Sequence, residues 1–62
     1  MTTGEKIRAL REEHGLTQAE LAEKFGCKQC RVAQVERGSR PAPLWMVKQS
    51  SEFFGVSADD LL

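Results

Sequence analysis

The chain has 62 residues, and its nine basic and nine acidic side chains give a formal net charge of zero at pH 7. A chain this short buries one small core, so we expect a single domain over residues 1–62 with no second, catalytic lobe and no enzyme activity. No apolar run approaches the roughly 18 residues that span a bilayer, and no signal-peptide pattern is present, which predicts a cytoplasmic, nucleoid-associated protein without a membrane partner.

Glycines and capping residues divide the sequence into five short helical segments with no strand candidate between them. In the first segment, Ile7 and Leu10 stand three residues apart among charged residues, which places both on one helix face. Gly15 follows as a C-cap, because glycine adopts the left-handed backbone conformation at little cost. We therefore expect an all-α fold that opens with an amphipathic helix.

The second helix begins at a capping box formed by residues 17–20. There the Thr17 hydroxyl can accept a hydrogen bond from the Glu20 amide, while the Glu20 carboxylate accepts one from the Thr17 amide. Gly26 ends this helix. Its buried face is expected to consist of Leu21, Ala22 and Phe25.

The third helix is predicted from about Lys28 to Arg37, with Val32 and Val35 as its buried stripe and Gly38 at its end. The second helix, a turn of three to four residues and the third helix together have the spacing of a helix-turn-helix over residues 18–37. Such a motif needs a small residue where its helices cross closely, and Ala22 meets that need.

Residues 40–43 cannot continue a helix, because proline lacks an amide donor and restricts the residue before it. Pro43 suits a first helical turn, so the fourth helix begins near it. Trp45 falls on the polar arc of this helix and is predicted to be exposed, either as a partner contact or packed on neighbouring side chains. The other arc is expected to face the core and contains Leu44, Met46, Val47, Ser50, Ser51, Phe53 and Phe54.

Gly55 stops the fourth helix, and Ser57 is the expected N-cap of a final helical turn. Asp59 and Asp60 then occupy the positive end of the helix dipole, where negative charge is favourable. Leu61 is predicted to anchor this turn in the core.

The basic side chains are concentrated in the middle of the chain. Residues 24–48 carry six bases and a single acid, Glu36, whereas both flanking segments are net acidic. A basic segment is the electrostatic footprint of a surface that approaches phosphates, although a solvated charged face gives the same pattern. The six bases are Lys24, Lys28, Arg31, Arg37, Arg40 and Lys48.

Two cysteines, Cys27 and Cys30, cannot complete a tetrahedral metal site by themselves, and His14 lies outside the usual ligand spacing. We therefore expect no metal and no other cofactor. A Cys-x-x-Cys sequence can also be a redox pair, but that function normally occurs in a βαβ context, which is absent here. Free thiols are the favoured interpretation and a redox pair is the alternative.

The helix-turn-helix segment and the segments around it resemble the XRE family, the lambda repressor-like and Cro-like helix-turn-helix DNA-binding domains. Residues 16–26 are similar to the family's second helix, 35–38 to the end of its recognition helix, and 53–57 with 60–62 to its closing segments. The resemblance covers nearly the whole chain. It implies a five-helix fold that binds double-stranded DNA with its third helix in the major groove.

The resemblance further implies base contacts from the third helix. Gln29 is suited to bidentate hydrogen bonds with adenine, and Gln34, about one and a half turns further on, is expected to project to the same side. Arg31 can bond guanine or a phosphate, and Cys30 offers a small surface to a thymine methyl group. A solvated helix face is the alternative for these residues.

Contacts with the DNA backbone are expected from four residues. Gln18 resembles the family glutamine that binds a phosphate and braces the first recognition residue, here Gln29. Lys28, Arg37 and Arg40 are expected to neutralise phosphates, which sets the register on DNA without reading its sequence.

Two further assignments follow from the resemblance alone. Glu36 matches a family glutamate that pairs with an arginine of the first helix, here Arg11, in a structural ion pair. The family also implies a homodimer, whose surface would include Pro41, Pro43, Val56 and Leu62.

The chain departs from the family pattern at two informative positions. Lys28 stands where a serine or threonine N-cap is usual, so the start of the third helix is expected to be held less firmly. Ser50 replaces a usual apolar residue, which thins the contact of the fourth helix with the core and predicts modest stability.

We expect a transcriptional regulator, most simply a repressor, that binds a palindromic operator as a homodimer with recognition helices in successive major grooves. The alternative is a protein-interaction module on the same fold, such as an antitoxin or an adaptor, which the neutral total charge and Trp45 favour. Neither interpretation involves a small-molecule substrate, and the lone His14 near a helix end is expected to be a solvated cap residue rather than a catalytic base.

Overall fold

Helix caps, glycine stops and apolar stripes organise the whole chain into an all-helical fold. The computed structural model describes residues 1–62 and contains no strand. The expected all-α architecture is confirmed, and none of its helices combines the length and apolar character that crossing a membrane requires. The five helices are α1 (Thr3–Glu13), α2 (Gln18–Phe25), α3 (Gln29–Arg37), α4 (Leu44–Phe54) and α5 (Ala58–Leu61).

Capping boxes start the first two helices. At α2, the Glu20 amide donates to Thr17 Oγ1 over 3.1 Å and the Thr17 amide donates to Glu20 Oε1 over 2.9 Å, which confirms the prediction for this helix. At α1, Thr2 and Glu5 form the same pair of bonds at 3.2 and 3.1 Å. Sequence reasoning missed this first box, although residues 2–5 carry the same Thr-x-x-Glu pattern.

Every helix contributes to one hydrophobic core. α3 packs against both α2 and α1, while α4 and α5 pack against each other and against α1. Leu61 is buried, as predicted, and ties the last turn to the rest of the fold. The buried apolar residues are Ile7, Leu21, Ala22, Phe25, Val32, Val35, Met46, Val47, Phe54 and Leu61.

α1 and α3 approach each other closely at Gly4, which is buried inside the first turn of α1. A Cβ atom on this residue would lie 1.9 Å from the carbonyl oxygen of Val35 and 2.8 Å from its carbonyl carbon. Real side chains do not tolerate such distances, so the absence of a side chain lets the two helix backbones touch. Gly4 therefore allows the close packing distance between α1 and α3.

The buried face of α4 is narrower than predicted. Leu44 and Phe53 were expected in the core but are 65% and 43% exposed. The reason is geometric: they lie at the two edges of the predicted apolar arc, and so small a fold covers only the central stripe around Met46 and Phe54. Trp45 is exposed, as predicted, but its ring also packs edge-on against Phe25 with centroids 6.3 Å apart.

Ser50 lies in the middle of this stripe and is completely buried. Its Oγ has no hydrogen-bond partner. A buried hydroxyl without a partner is unfavourable relative to an apolar residue, because it has lost its hydration without compensation. The modest stability expected from this position stays a prediction, with the unpartnered hydroxyl as a further physical reason for it.

Candidate nucleic-acid interface

α2 and α3 meet through a short turn whose backbone is fixed by glycine. Gly26 has φ 70° and ψ 32°, the left-handed conformation, and its amide donates to the carbonyl oxygens that end α2. The next amide, of Cys27, donates to the Ala22 carbonyl over 3.0 Å. The chain thus changes direction within the three residues between α2 and α3, which produces the helix-turn-helix between Gln18 and Arg37.

The start of α3 has no side-chain cap. Lys28 occupies the N-cap position with extended φ and ψ of −80° and 147°, and its side chain makes no capping hydrogen bond. The cap that the family pattern supplies is therefore missing here, and a less firmly held start of α3 stays a prediction. The first amides of α3 are left without a side-chain acceptor, and such amides favour anions.

α3 has one buried face and one open face. Val32, Val35 and Glu36 are buried, whereas Gln29, Cys30 and Arg31 are exposed and Gln34 is half-buried. The four residues expected to contact bases are thus not enclosed by the protein's own chain. They are available to a ligand that approaches α3 from solvent.

A shallow open groove of about 500 Å³ runs along this open face. Three cations meet there with two uncharged polar side chains and the half-buried Cys27. A concave surface with this charge and this mixture of donors fits a polyanion with polar edges. The lining residues are Cys27, Lys28, Cys30, Arg31, Gln34 and Arg40.

Arg40 reaches this groove because the chain folds back after α3. Gly38 takes φ 85°, and the carbonyl oxygen of Gln34 then accepts from the amides of Ser39 and Arg40 over 2.9 and 3.3 Å. These bonds bring Arg40 to the same groove as Arg31, although the two residues are nine positions apart in the sequence.

Three of the eight expected DNA-contacting residues lie outside the lining of the groove. Gln29 is exposed at the first position of α3. Arg37 is exposed near its end and donates from Nε to Ser39 Oγ over 2.9 Å. Gln18 is half-buried and donates from Nε2 to Glu36 Oε1 over 3.0 Å, and no hydrogen bond joins it to Gln29. The bracing contact that the resemblance implies is therefore not present in this structure.

A buried ion pair joins α3 to α1. Arg11 donates from Nε to Glu36 Oε2 over 2.7 Å and from Nη2 to Glu36 Oε1 over 3.1 Å, the pair that the resemblance implies. Only 11% of the Arg11 side chain and 2% of the Glu36 side chain are exposed. The hydrogen bonds to Glu36 raise the pKa of Arg11 above its ordinary value.

The same guanidinium also holds the loop between α1 and α2. Arg11 Nη1 donates to the Leu16 carbonyl over 2.6 Å. Arg11 thereby connects α1, this loop and α3, which keeps the two helices of the motif in a fixed relation to α1. Sequence reasoning found the ion pair but neither the Leu16 bond nor the Gln18 bond, because the sequence gives no signal for which donors meet a buried carboxylate.

The residues expected at a dimer surface fall into two separate places. Val56 is half-buried in a small apolar groove between α1 and α5, lined also by Met1, Leu10 and Leu61. Leu62 is exposed, and its carbonyl accepts from Lys6 Nζ over 3.3 Å. Pro41, by contrast, lines a different groove beside the start of α1, and Pro43 is the half-buried N-cap of α4.

Both thiols are free. Cys27 is half-buried against the core and Cys30 is exposed. Burial raises the pKa of the Cys27 thiol, because the thiolate is poorly solvated there. His14 is exposed at the C-cap of α1, where its Nδ1 lies 2.9 Å from the Leu10 carbonyl, and its ring stacks at an angle on Phe54.

Three solved structures resemble this fold closely over nearly the whole chain. The P22 c2 repressor protein, in complex with a synthetic operator, superposes with a TM-score of 0.88 at 29% identity, covering 100% of this chain and 94% of its own. SinR, a master regulator for biofilm formation solved in complex with DNA, gives 0.84 at 30% identity and covers 97% of both chains. The restriction-modification controller protein C.AhdI of Aeromonas hydrophila gives 0.83 at 30% identity, covering 97% of this chain and 91% of its own.

Sequence comparison leads to the same class. An uncharacterized HTH-type transcriptional regulator of Methanocaldococcus jannaschii is 32% identical over 56 residues, which are 90% of this chain and 85% of that protein. These names are those of regulators rather than enzymes. The family model of the helix-turn-helix domain matches residues 3–62. The chain therefore belongs to the helix-turn-helix domain family, within its XRE or lambda repressor-like class of DNA-binding transcriptional regulators.

Proposed function

We propose that this protein is a repressor that binds a palindromic DNA operator as a homodimer. The observation that carries the proposal is the groove on the open face of α3, where Lys28, Arg31 and Arg40 surround Gln34 and Cys30. Positive charge attracts the phosphate backbone, and amide and guanidinium groups can distinguish base edges. The operator and DNA complexes of the P22 c2 repressor and SinR support the same assignment.

In this proposal α3 enters the major groove with its uncapped first turn leading. Gln29 and Gln34 read adenine through paired donor and acceptor contacts, and Arg31 reads guanine. Cys30 packs its small, weakly polar side chain against a thymine methyl group. The open face of α3 fits this role because none of these side chains is buried in the core.

Phosphates are contacted from both sides of α3. Lys28 at the start of the helix and Arg40 after its end line the groove, while the exposed Arg37 and the half-buried Gln18 lie outside its lining. The uncapped amides of the first turn of α3 add donors that favour an anion. These contacts set the register, and the base contacts then select the sequence.

A homodimer is proposed because one helix of nine residues reads only a few base pairs. Two copies related by a twofold axis would place their recognition helices about 34–36 Å apart, one turn of DNA. Val56 and Leu62 on one side, and Pro41 and Pro43 on the other, are the proposed contact residues.

The experiment is a selection from random DNA duplexes followed by titration at several salt concentrations. We expect an inverted repeat to be enriched, and Arg31→Ala or Gln34→Ala to weaken binding by about 1–3 kcal/mol and to relax preference at one base position. Arg40→Ala should instead weaken all sequences equally and reduce the salt dependence by about one counterion. Gln49→Ala is the matched control, since Gln49 is an exposed glutamine of α4 outside this groove.

A second candidate, a protein-interaction module, is favoured by one observation: α4 exposes Leu44, Trp45 and Phe53. Exposed apolar side chains on one helix are typical of contacts with another protein. The salt series separates the two candidates, because a phosphate-binding surface loses affinity steeply as salt rises. Binding to DNA that is weak, unselective and unaffected by Arg31→Ala would favour the second.

A further inference from the structure

The buried carboxylate of Glu36 has three N–H donors from two different helices. Two come from Arg11 of α1, at 2.7 and 3.1 Å, and the third comes from Nε2 of Gln18, the first residue of α2, at 3.0 Å. Oε1 is shared between Arg11 and Gln18. The Glu36 carboxylate therefore binds Gln18, at the start of α2, in addition to forming its ion pair with Arg11.

This contact determines which way the Gln18 amide faces. A carboxylate only accepts hydrogen bonds, so it requires the nitrogen of the amide, and not its oxygen, to turn inward. The bond to Glu36 is the only hydrogen bond of the Gln18 side chain. One N–H is used inside the protein, while the second N–H and the carbonyl oxygen remain available on a half-buried residue.

We infer that Glu36 is a positioning residue for DNA binding. It holds the Gln18 side chain in one orientation, so that the remaining N–H of Gln18 is directed to a phosphate and the Oε1 of Gln18 to a neighbouring donor. The inference rests on the DNA-binding function proposed above. It assigns the buried carboxylate a second role besides its ion pair with Arg11: Gln18 is ordered when the protein folds, not when DNA arrives.

Pre-ordering has a physical benefit. A free glutamine side chain has several rotamers, and fixing them on binding would weaken DNA affinity by about tenfold. Leaving the Glu36 site is also unfavourable for Gln18, because a carboxylate with only 2% of its side chain exposed would lose one of its donors. Both effects keep the amide in place before DNA binds.

The test is a double-mutant cycle between Glu36 and Gln18, with affinity measured on a selected inverted-repeat duplex. Glu36→Gln keeps the side-chain shape but offers one acceptor oxygen where the carboxylate has two, so Arg11 and Gln18 compete for it. We expect Glu36→Gln and Gln18→Ala each to weaken binding by about tenfold, and the double variant to be no weaker than Gln18→Ala alone.

Two outcomes would overturn the inference: Glu36→Gln affinity within about twofold of wild type, or losses that multiply in the double variant. Val47→Ala, a core substitution in α4 outside the Glu36 hydrogen-bond network, is the control for lost stability. Where folded, it should bind DNA as wild type does, whereas Glu36→Gln should not.

A measurement on the wild-type protein avoids any folding defect of the variants. In NMR relaxation measurements without DNA, the side-chain amide of Gln18 should be as rigid as the backbone, with an order parameter of about 0.8. The order parameter of the exposed Gln49 amide should lie below about 0.6. Equal mobility of the two amides would contradict the inference with DNA binding intact. Failure of the wild-type protein to bind any selected duplex would instead remove the proposed function, and this inference with it.

Discussion

The two helices of the motif begin in opposite ways. α2 starts on a complete capping box between Thr17 and Glu20, so its first turn is stabilised by residues within four positions of one another. α3 starts on Lys28 without any side-chain cap and depends on long-range contacts, namely the seat provided by Gly4 and the ion pair of Glu36. The helix proposed to read DNA is thus placed by the rest of the fold and keeps its own first amides free.

The largest effect is expected from Gly4→Ala, which attacks the long-range support of α3. The new methyl group would overlap the Val35 carbonyl, so α1 and α3 would have to separate. We expect a loss of about 3 kcal/mol or more, enough to leave so small a domain largely unfolded. Urea denaturation followed by circular dichroism measures this loss.

Arg8→Ala is the matched control for Gly4→Ala, since Arg8 lies on the exposed face of the same helix in a solvent-exposed pair with Glu12. It should change stability by less than about 0.5 kcal/mol. A Gly4→Ala variant as stable as Arg8→Ala would show that α3 does not depend on this close approach.

Thr17→Ala tests the local support of α2 and should have an intermediate effect. Loss of the N-cap hydroxyl is expected to lower the free energy of unfolding by about 1 kcal/mol, within the usual range for such caps. Hydrogen exchange of the Glu20 amide should quicken, because that amide donates to the Thr17 hydroxyl. Unchanged exchange would mean that the capping box contributes nothing to the start of α2.

Lys28→Ser supplies α3 with the side-chain cap that it lacks, so this substitution should raise the stability of the fold rather than lower it. We expect a gain of about 0.5–1 kcal/mol in stability, together with weaker DNA binding, because a cation of the groove is lost and a first-turn amide becomes occupied. Lys48→Ser, a change at an exposed lysine of α4 outside this groove, is the control. Higher stability with unchanged DNA affinity would contradict a role for the uncapped start of α3.

The smallest effect is expected from acid, which should weaken the capping box at the start of α2 and leave the start of α3 unchanged. Hydrogen bonds from Thr17 hold the pKa of Glu20 below its ordinary value of 4.5, as those from Thr2 do for Glu5. Since the folded-state pKa is the lower one, this stabilisation is present above pH 4.5 and is lost as the pH falls through the folded-state value. NMR titration should therefore show the Thr17 amide shifting with Glu20 in this range, while the Gln29 amide at the start of α3 is unaffected.

The amino-acid sequence by itself determined the helices and their order. Capping patterns, glycine stops and apolar spacing are local signals, so Thr17, Gly26 and Ser57 could be assigned to their caps before the fold was known. The composition of the basic segment and the outward residues of α3 could be read in the same way. Even the capping box of Thr2 and Glu5 was present in the pattern, although it was overlooked.

Only the tertiary structure decided the rest, because those features depend on which helices meet. The need for glycine at position 4 arises from a carbonyl 31 residues away, and the Gln18 bond to Glu36 arises from three helices converging on one carboxylate. Leu44 and Phe53 are exposed because the neighbouring helices cover only part of α4, which a helical wheel does not describe. Arg40 lines the same groove as Arg31 because the chain folds back over the Gln34 carbonyl after the glycine turn that ends α3, and the sequence did not show which groove that turn would bring Arg40 to.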